Sequence, residues 1–190
     1  VAKTKIGANA DGELLAMKTE YYWDAGAYTE YGVNIARAAG YSSTGPYRIP
    51  NVEADSYCVY TTHPVGGPMR GFGMPEIHWG IEQIMDIVAE ELGMDKAEFR
   101  LKNVLHGGDQ NVTGMVMHPI GLSECIEKAA QAINWGVDEP PSHPHARRSK
   151  GIAVSWKAPA MPPNAGSSAT VRMNEDATVT VAVGGQEIGQ

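Results

Sequence analysis

Met69-Arg70-Gly71-Phe72-Gly73-Met74-Pro75 decides how the rest of the chain is read. It sets a guanidinium, an aromatic ring and two glycines directly before the longest helical pattern in the sequence. Pro75 suits a first helical turn, where its missing N–H has no partner to lose. Ile77, Ile81, Ile84, Met85, Val88 and Leu92 then recur at helical spacing as one apolar stripe, and Gly93 stands where a left-handed cap ends such a helix. Glycine allows close approach of backbone to a ligand, and the unpaired N–H groups of a helix start favour anions. The stretch therefore reads either as an anion-binding turn or as an ordinary strand-to-helix connection.

Working outward, Asp95 caps a second short helix running from residue 96 to about 105, with Phe99 and Leu101 as core candidates and Gly107-Gly108-Asp109 ending it. Ser123 is read as the N-cap of a third helix through Ile126, Ala129, Ala130 and Ile133 to Trp135. Upstream, residues 3–7 are extended, Asp11-Gly12 is a hairpin-type turn and residues 13–23 form a strand. Residues 24–28 are a bend, and 33–39 are either a short helix or an irregular connection. Gly45-Pro46-Tyr47-Arg48-Ile49-Pro50-Asn51 enforces an extended, turn-rich path before a strand over 52–61. Residues 136–150, rich in Pro, His, Ser and charge, read as a surface linker. After an apolar stretch at 151–156 and a loop at 157–167, residues 169–173 pair with 178–183 across Asn174-Glu175-Asp176. Strands, then a three-helix segment, then strands give an α+β class. The divisions are a strand and helix portion at 1–135, the linker at 136–150, and strands at 151–190 ending in a glycine-rich loop.

A chain of 190 residues with 43% hydrophobic and 19% charged residues describes a soluble globular domain or part of one. The net charge of −7 argues against a nucleic-acid surface; the one basic run, Arg147-Arg148-Ser149-Lys150, reads as a solvated loop. Cys58 and Cys125 lack CxxC spacing, so neither a zinc ribbon nor a disulfide framework is indicated, and a cytoplasmic setting is the simplest reading. No apolar run is long enough to span a membrane, and no signal-peptide pattern opens the chain. The histidines form no HxxxH or HExxH pair, and His143-Pro144-His145 lies in the linker, so no metal-ligating set is assigned. No Ser-His-Asp or Cys-His arrangement supports a hydrolase. Glu82, beside the apolar stripe, reads as a helix-surface carboxylate or as a buried structural acceptor. The start on Val1 and the unfinished glycine turn at 184–190 read as cuts through a longer polypeptide.

Taken in order, these motifs resemble the molybdopterin-binding large subunit of the xanthine dehydrogenase/aldehyde oxidase family of molybdenum hydroxylases. Tyr47-Arg48-Ile49-Pro50-Asn51 resembles the family's Tyr-x-Ile-Pro-Asn stretch, and Arg70-Gly71-Phe72-Gly73-Met74-Pro75 its Arg-Gly-Phe-Gly-x-Pro motif. Glu82, Asp86, Leu92-Gly93-Met94-Asp95, Arg100 and Asn103 fall where the family has its helix pattern. Gly108-Asp109, Thr113-Gly114 and Gly121-Leu122 continue the series, and Glu187-Ile188-Gly189-Gln190 resembles its Glu-Met-Gly-Gln-Gly cofactor loop. The resemblance implies part of the molybdenum cofactor-binding domain, with Arg70 beside the cofactor and Gly71 and Gly73 permitting its approach. Phe72 would pack on an aromatic substrate and Arg37 would orient it, with Trp156 as a second aromatic wall. Gln190 and the backbone of Ile188 and Gly189 would hold the pyranopterin.

The implied activity is hydroxylation of an N-heteroaromatic compound with water as oxygen source. The cofactor is molybdenum with molybdopterin, as a dinucleotide, and electrons leave to iron–sulfur clusters and FAD on partner domains or subunits. Aldehyde oxidation, or a scaffold without cofactor, are the other readings. The general base of the family lies outside residues 1–190, so the chain alone is expected to hold no cofactor and to be inactive.

Overall fold

A computed structural model describes residues 1–157 and 166–185 of the chain. It divides into two compact units, Val1–Trp156 and Lys157–Gln190. In the first, β1 (Ala2–Ala8) and β2 (Leu14–Gly26) pair antiparallel across the turn at Gly12, whose φ of 82° a side chain would resist. The chain then crosses through α1 (Gly32–Tyr41) to β3 (Asn51–Tyr60), which lies parallel to β2, giving the sheet order β1-β2-β3. Of the two readings left open for residues 33–39, the helix holds. The stretch read as a bend at 24–28 begins instead as the end of β2, because Asp24 and Gly26 still pair with β3 across a register shift.

Alternation places Met17, Thr19 and Tyr21 on the inner face of the sheet, while Lys18 and Tyr22 are exposed. Met17 and Tyr21 share a core with Ala39 of α1 and with Ile77, Ile81, Met85 and Ala89 of α2 (Met74–Leu92). Of the predicted stripe Ile77, Ile81 and Met85 are buried and Ile84, Val88 and Leu92 pack against the core partly buried, with Ala89 added to it; each large aliphatic side chain fully buried contributes about 1.5–3 kcal/mol. Gly93 ends α2 in the left-handed region at φ 65°. Asp95 caps α3 (Lys96–Asn103), accepting from the N–H groups of Ala97 and Glu98. The helix stops at Asn103, short of the expected position 105, because Val104 leaves to bridge Tyr47. Asn103 then ties helix to sheet: its Oδ1 accepts from Leu14 N–H at 2.9 Å and its Nδ2 donates to Gly12 and Phe99 carbonyls.

Helix α4 (Leu122–Ala132) starts before Ser123. Its N-cap is Gly121, and Ser123 Oγ is buried without a partner, which corrects the expected cap. The apolar stretch at 151–156 packs with the first unit, where Val154 joins the core, and the division between units falls after Trp156. In the second unit β4 (Ala169–Met173) and β5 (Val179–Val183) form the predicted pair, antiparallel with Ala169 opposite Val183. The turn is held by Asn174, whose N–H donates to Thr178 O, and by Asp176, which accepts from Thr178.

Candidate functional site

The turn at 71–73 connects a loop from β3 to the start of α2. Gly71 and Gly73 both have positive φ, 77° and 80°, and Met74 N–H closes the turn onto Gly71 O at 3.0 Å. They serve differently. A Cβ on Gly73 would lie 2.8 Å from Ile35 O and 2.9 Å from Ala39 N, so its bareness lets the turn press against α1. A Cβ on Gly71 would meet nothing closer than Pro75 at 3.8 Å, so the backbone there is open. The nineteen-residue helix has no side-chain cap at its N-terminus. Open backbone and a helix start without a side-chain cap favour an anion, with Glu76 in the first turn as the one acidic side chain there.

Arg70 is exposed, and Phe72 is half-buried. The Phe72 ring meets Tyr31 edge-on, with centroids 5.3 Å apart and planes at 80°, a geometry that fixes the ring. Tyr31 directly precedes α1, so that helix holds both the turn, through Ile35 and Ala39, and the aromatic side chain. Arg37 lies on the same helix, exposed and off the buried face formed by Gly32, Ala36 and Ala39. The helix repeat sets Arg37 about 100° around the axis from Ala38.

Two turns into α2 a charged group is buried. Glu82 Oε1 accepts from Tyr47 Oη at 2.5 Å, and Oε2 accepts from Arg100 Nε at 2.8 Å and from Val154 N–H at 2.9 Å. Arg100 also donates to Glu82 O and Lys96 O and pairs with Asp86 at 2.9 Å. Burial pushes the Tyr47 phenol far above its ordinary range, and the negative Glu82 adds to the shift. Burial works against the Arg100 charge, yet Tyr47 and Glu82 hold its pKa above the usual value. Of the two readings for Glu82, the structure selects the buried structural acceptor. His78 is buried nearby and burial lowers its pKa; its Nδ1 bonds to Met74 O at 2.7 Å, which makes that nitrogen the donor.

The loop leading to the turn is fastened at the end of β2. Asp24 Oδ1 accepts from Gly26 N–H at 2.9 Å and from Thr61 Oγ1, and Oδ2 pairs with His63 Nδ1. The hydrogen bonds from Thr61 and His63, then from Gly26, lower the Asp24 carboxyl to about 2. Neither this cluster nor Tyr31 was singled out from sequence. The Asp24-x-Gly26 and Thr61-x-His63 spacings are the local signal that side-chain-to-backbone turns leave.

Among the predicted site residues, the turn brings Arg70, Gly71 and Phe72 into one segment. Trp156 is half-buried at the end of the first unit. Ile188, Gly189 and Gln190 lie outside the described residues. A groove of about 790 Å³ between β1, β2 and α2 is lined by Tyr22, Trp23, Trp79, Ile84 and Ile87 and by none of the predicted residues. Its walls are mainly apolar, with Thr4, Glu76 and Gln83 as the polar side chains among them. Among the described residues, no group of three or more His, Cys, Asp or Glu is placed to hold a metal ion, and no helix is long and apolar enough to cross a membrane.

The pattern of the molybdopterin cofactor-binding domain matches residues 1–104. The nicotinate dehydrogenase large molybdopterin subunit of Eubacterium barkeri is 40% identical over 128 residues, covering 67% of this chain and 30% of its own. The xanthine dehydrogenase molybdenum-binding subunit of Escherichia coli O157:H7 is 33% identical over 98% of this chain and 26% of its own. The solved aldehyde oxidoreductase of Desulfovibrio gigas superposes with a TM-score of 0.76 at 33% identity, over 95% of this chain and 20% of that one. The chain thus spans between a fifth and a third of the length of these relatives. With 104 matched residues carrying the sheet, α1, α2 and the glycine turn, the chain belongs to the molybdopterin cofactor-binding domain family, in the large subunits of the molybdenum hydroxylases.

Proposed function

We propose that the full protein is a molybdenum hydroxylase that hydroxylates an N-heteroaromatic substrate with water as oxygen source. The observation that supports this reading is the 71–73 turn, where the backbone at Gly71 is open next to the start of α2, a helix without a side-chain cap at its N-terminus. Open backbone at a helix start suits the phosphate-bearing, oxygen-rich face of a molybdopterin. When bound, the cofactor supplies the metal-centred oxidation, and this chain's residues bind and orient. Arg70 and Gly71 hold the cofactor, a role in which Ile188, Gly189 and Gln190 join by main chain and amide. Phe72, fixed by Tyr31, packs on the substrate ring, and Arg37 orients a polar substituent.

A flat aromatic side chain braced edge-on suits a planar heterocycle, in keeping with the relatives named for nicotinate and xanthine. The competing aldehyde reading is favoured by the superposition on an aldehyde oxidoreductase. We further place the dinucleotide form of the pterin, iron–sulfur and FAD partners and a cytoplasmic setting in this proposal. Unpaired Cys58 and Cys125 support a reducing compartment. The 190 residues alone are expected to turn over no substrate.

The test uses the full protein with its partners. Molybdenum and released pterin nucleotide are measured, and wild type and Phe72→Ala are assayed with xanthine, nicotinate and an aldehyde. Loss of a stacked ring should raise KM for the heterocycle about tenfold. A metal-free protein refutes the cofactor reading. Unchanged heterocycle turnover in Phe72→Ala, with an aldehyde the better substrate, moves the assignment to aldehydes.

A further inference from the structure

The loop that carries Arg70 and Phe72 is held at both of its ends, and the glycine turn is only one of them. At its far end Gly73 is pressed into α1. At its near end the backbone is zipped to the end of β2: Thr61 N–H donates to Gly26 O at 3.0 Å, Ala27 N–H to His63 O at 3.0 Å and Gly66 N–H to Ala25 O at 3.1 Å. Gly26, at φ 75°, lets this happen, since a Cβ there would sit 2.2 Å from Pro64 O. Asp24 binds across the junction, accepting from its own strand through Gly26 and from the loop through Thr61 and His63. Thr61 Oγ1 in turn accepts from His63 N–H at 3.2 Å, so one carboxylate organises the whole corner.

We propose that Asp24 is a positioning residue, which through Thr61 and His63 fixes the start of the 61–73 loop and so sets where Arg70 and Phe72 stand. This rests on the reading that Arg70 serves the cofactor and Phe72 the substrate. With the near anchor in place, six residues, 67–72, separate it from the glycine turn; with it released, twelve residues, 61–72, lie between β3 and Gly73. Doubling a flexible span lowers the population of any one loop geometry about threefold, since closure probability falls as the three-halves power of length. The backbone bonds at Gly26, Ala27 and Gly66 still favour the corner without the carboxylate, so threefold is the full effect expected when the Asp24 contacts are lost.

The experiment uses the complete holoenzyme. Asp24→Asn keeps an acceptor for Gly26 and Thr61 and puts an NH2 group where His63 needs an acceptor, so it loosens the corner while sparing the strand. Gly26→Ala attacks the same corner from the backbone side. Hydrogen exchange of amides 66–72 is compared with that of α2, and KM and kcat are measured with nicotinate and xanthine, with Phe72→Ala in parallel. The expectation for Asp24→Asn is about threefold faster exchange at 66–72 with α2 unchanged, and KM raised about threefold with kcat within about twofold. His63→Asn, which restores a donor to Asp24, should return KM toward wild type relative to His63→Ala. Unchanged exchange at 66–72, or exchange rising equally in α2, overturns the proposal, as does a loosened loop with unmoved KM when Phe72→Ala does raise KM. If Phe72→Ala leaves KM unmoved while the loop loosens, the anchor stands and the substrate role of Phe72 fails instead.

Discussion

Replacing Glu82 by Gln should unlock α2 from α3 without removing a side chain's volume. Arg100 has no exposed side-chain surface, and Glu82 retains 10%. At 2.8 Å and an effective dielectric of about 20 their attraction is worth about 6 kcal/mol before desolvation, which itself costs several kcal/mol per ion. The pair is therefore not a large net source of stability, but breaking it strands a buried charge, at about 3–5 kcal/mol. Glu82→Gln belongs at the lower end, about 3 kcal/mol, because Asp86 still faces Arg100 and is itself 33% exposed. Arg100→Met belongs at the upper end, because Glu82 then keeps only Tyr47 and Val154 as donors. Combining Glu82→Gln with Arg100→Met removes both charges and should cost less than the two singles together by about 2 kcal/mol or more, as expected of residues in contact. Native-state hydrogen exchange of α2 and α3 amides in the full protein reads these opening energies element by element. Single substitutions each below about 1 kcal/mol, adding without coupling, would show a solvent-screened pair and refute the buried-network account.

Two further outcomes follow from the same geometry. Tyr47 titrates higher folded than unfolded, so its contribution is full below the ordinary tyrosine value of about 10 and is lost as pH rises beyond it. The difference in tyrosinate absorbance between wild type and Tyr47→Phe should appear only together with the loss of helical circular dichroism, and a separate earlier step would contradict the burial. Gly73→Ala combines a φ of 80° with contacts below 3.0 Å to α1 backbone, and thermal unfolding should show a loss of about 1–3 kcal/mol. Gly71→Ala meets no such contact and should cost less, the ordering of the two being the check.

Helix α2 was legible because three signals agree on it: Pro75 in the first turn, a stripe of large aliphatics, and Gly93 at the cap. Helix α1 was not, since the face it buries is Gly32, Ala36 and Ala39, residues too small to stand out as a stripe. Its role is nonetheless large, because small residues let it lie close to β2, β3 and the glycine turn. Ser123 misled because a good capping residue stood one position inside a helix that starts on backbone alone. At the site, the glycines announced their positive φ, but Tyr31 and Asp24 did not announce their partners. Those partners, Phe72 and His63, lie 41 and 39 residues further along. Glu82 could be read either way for the same reason: Tyr47 and Arg100 reach it from opposite directions in sequence, and only the packed core brings them together.

The placement of that network bears on the site itself. Glu82 stands eight residues from Met74, about 12 Å along α2, so the helix links a locked middle to the turn at its start. The turn's two glycines are backbone without side chains to hold it, and such a segment keeps one geometry only if what carries it does not rock. Glu82 and Arg100 stop α2 from rocking against α3, Val154 stops it against the chain that leads to Trp156, and α1 seats Gly73 from the side. Under the proposed function, a loop mounted this way should be sensitive to Glu82 in KM as well as in stability. Glu82→Gln and Asp24→Asn should then displace the same two side chains, Arg70 and Phe72, from opposite ends of one loop.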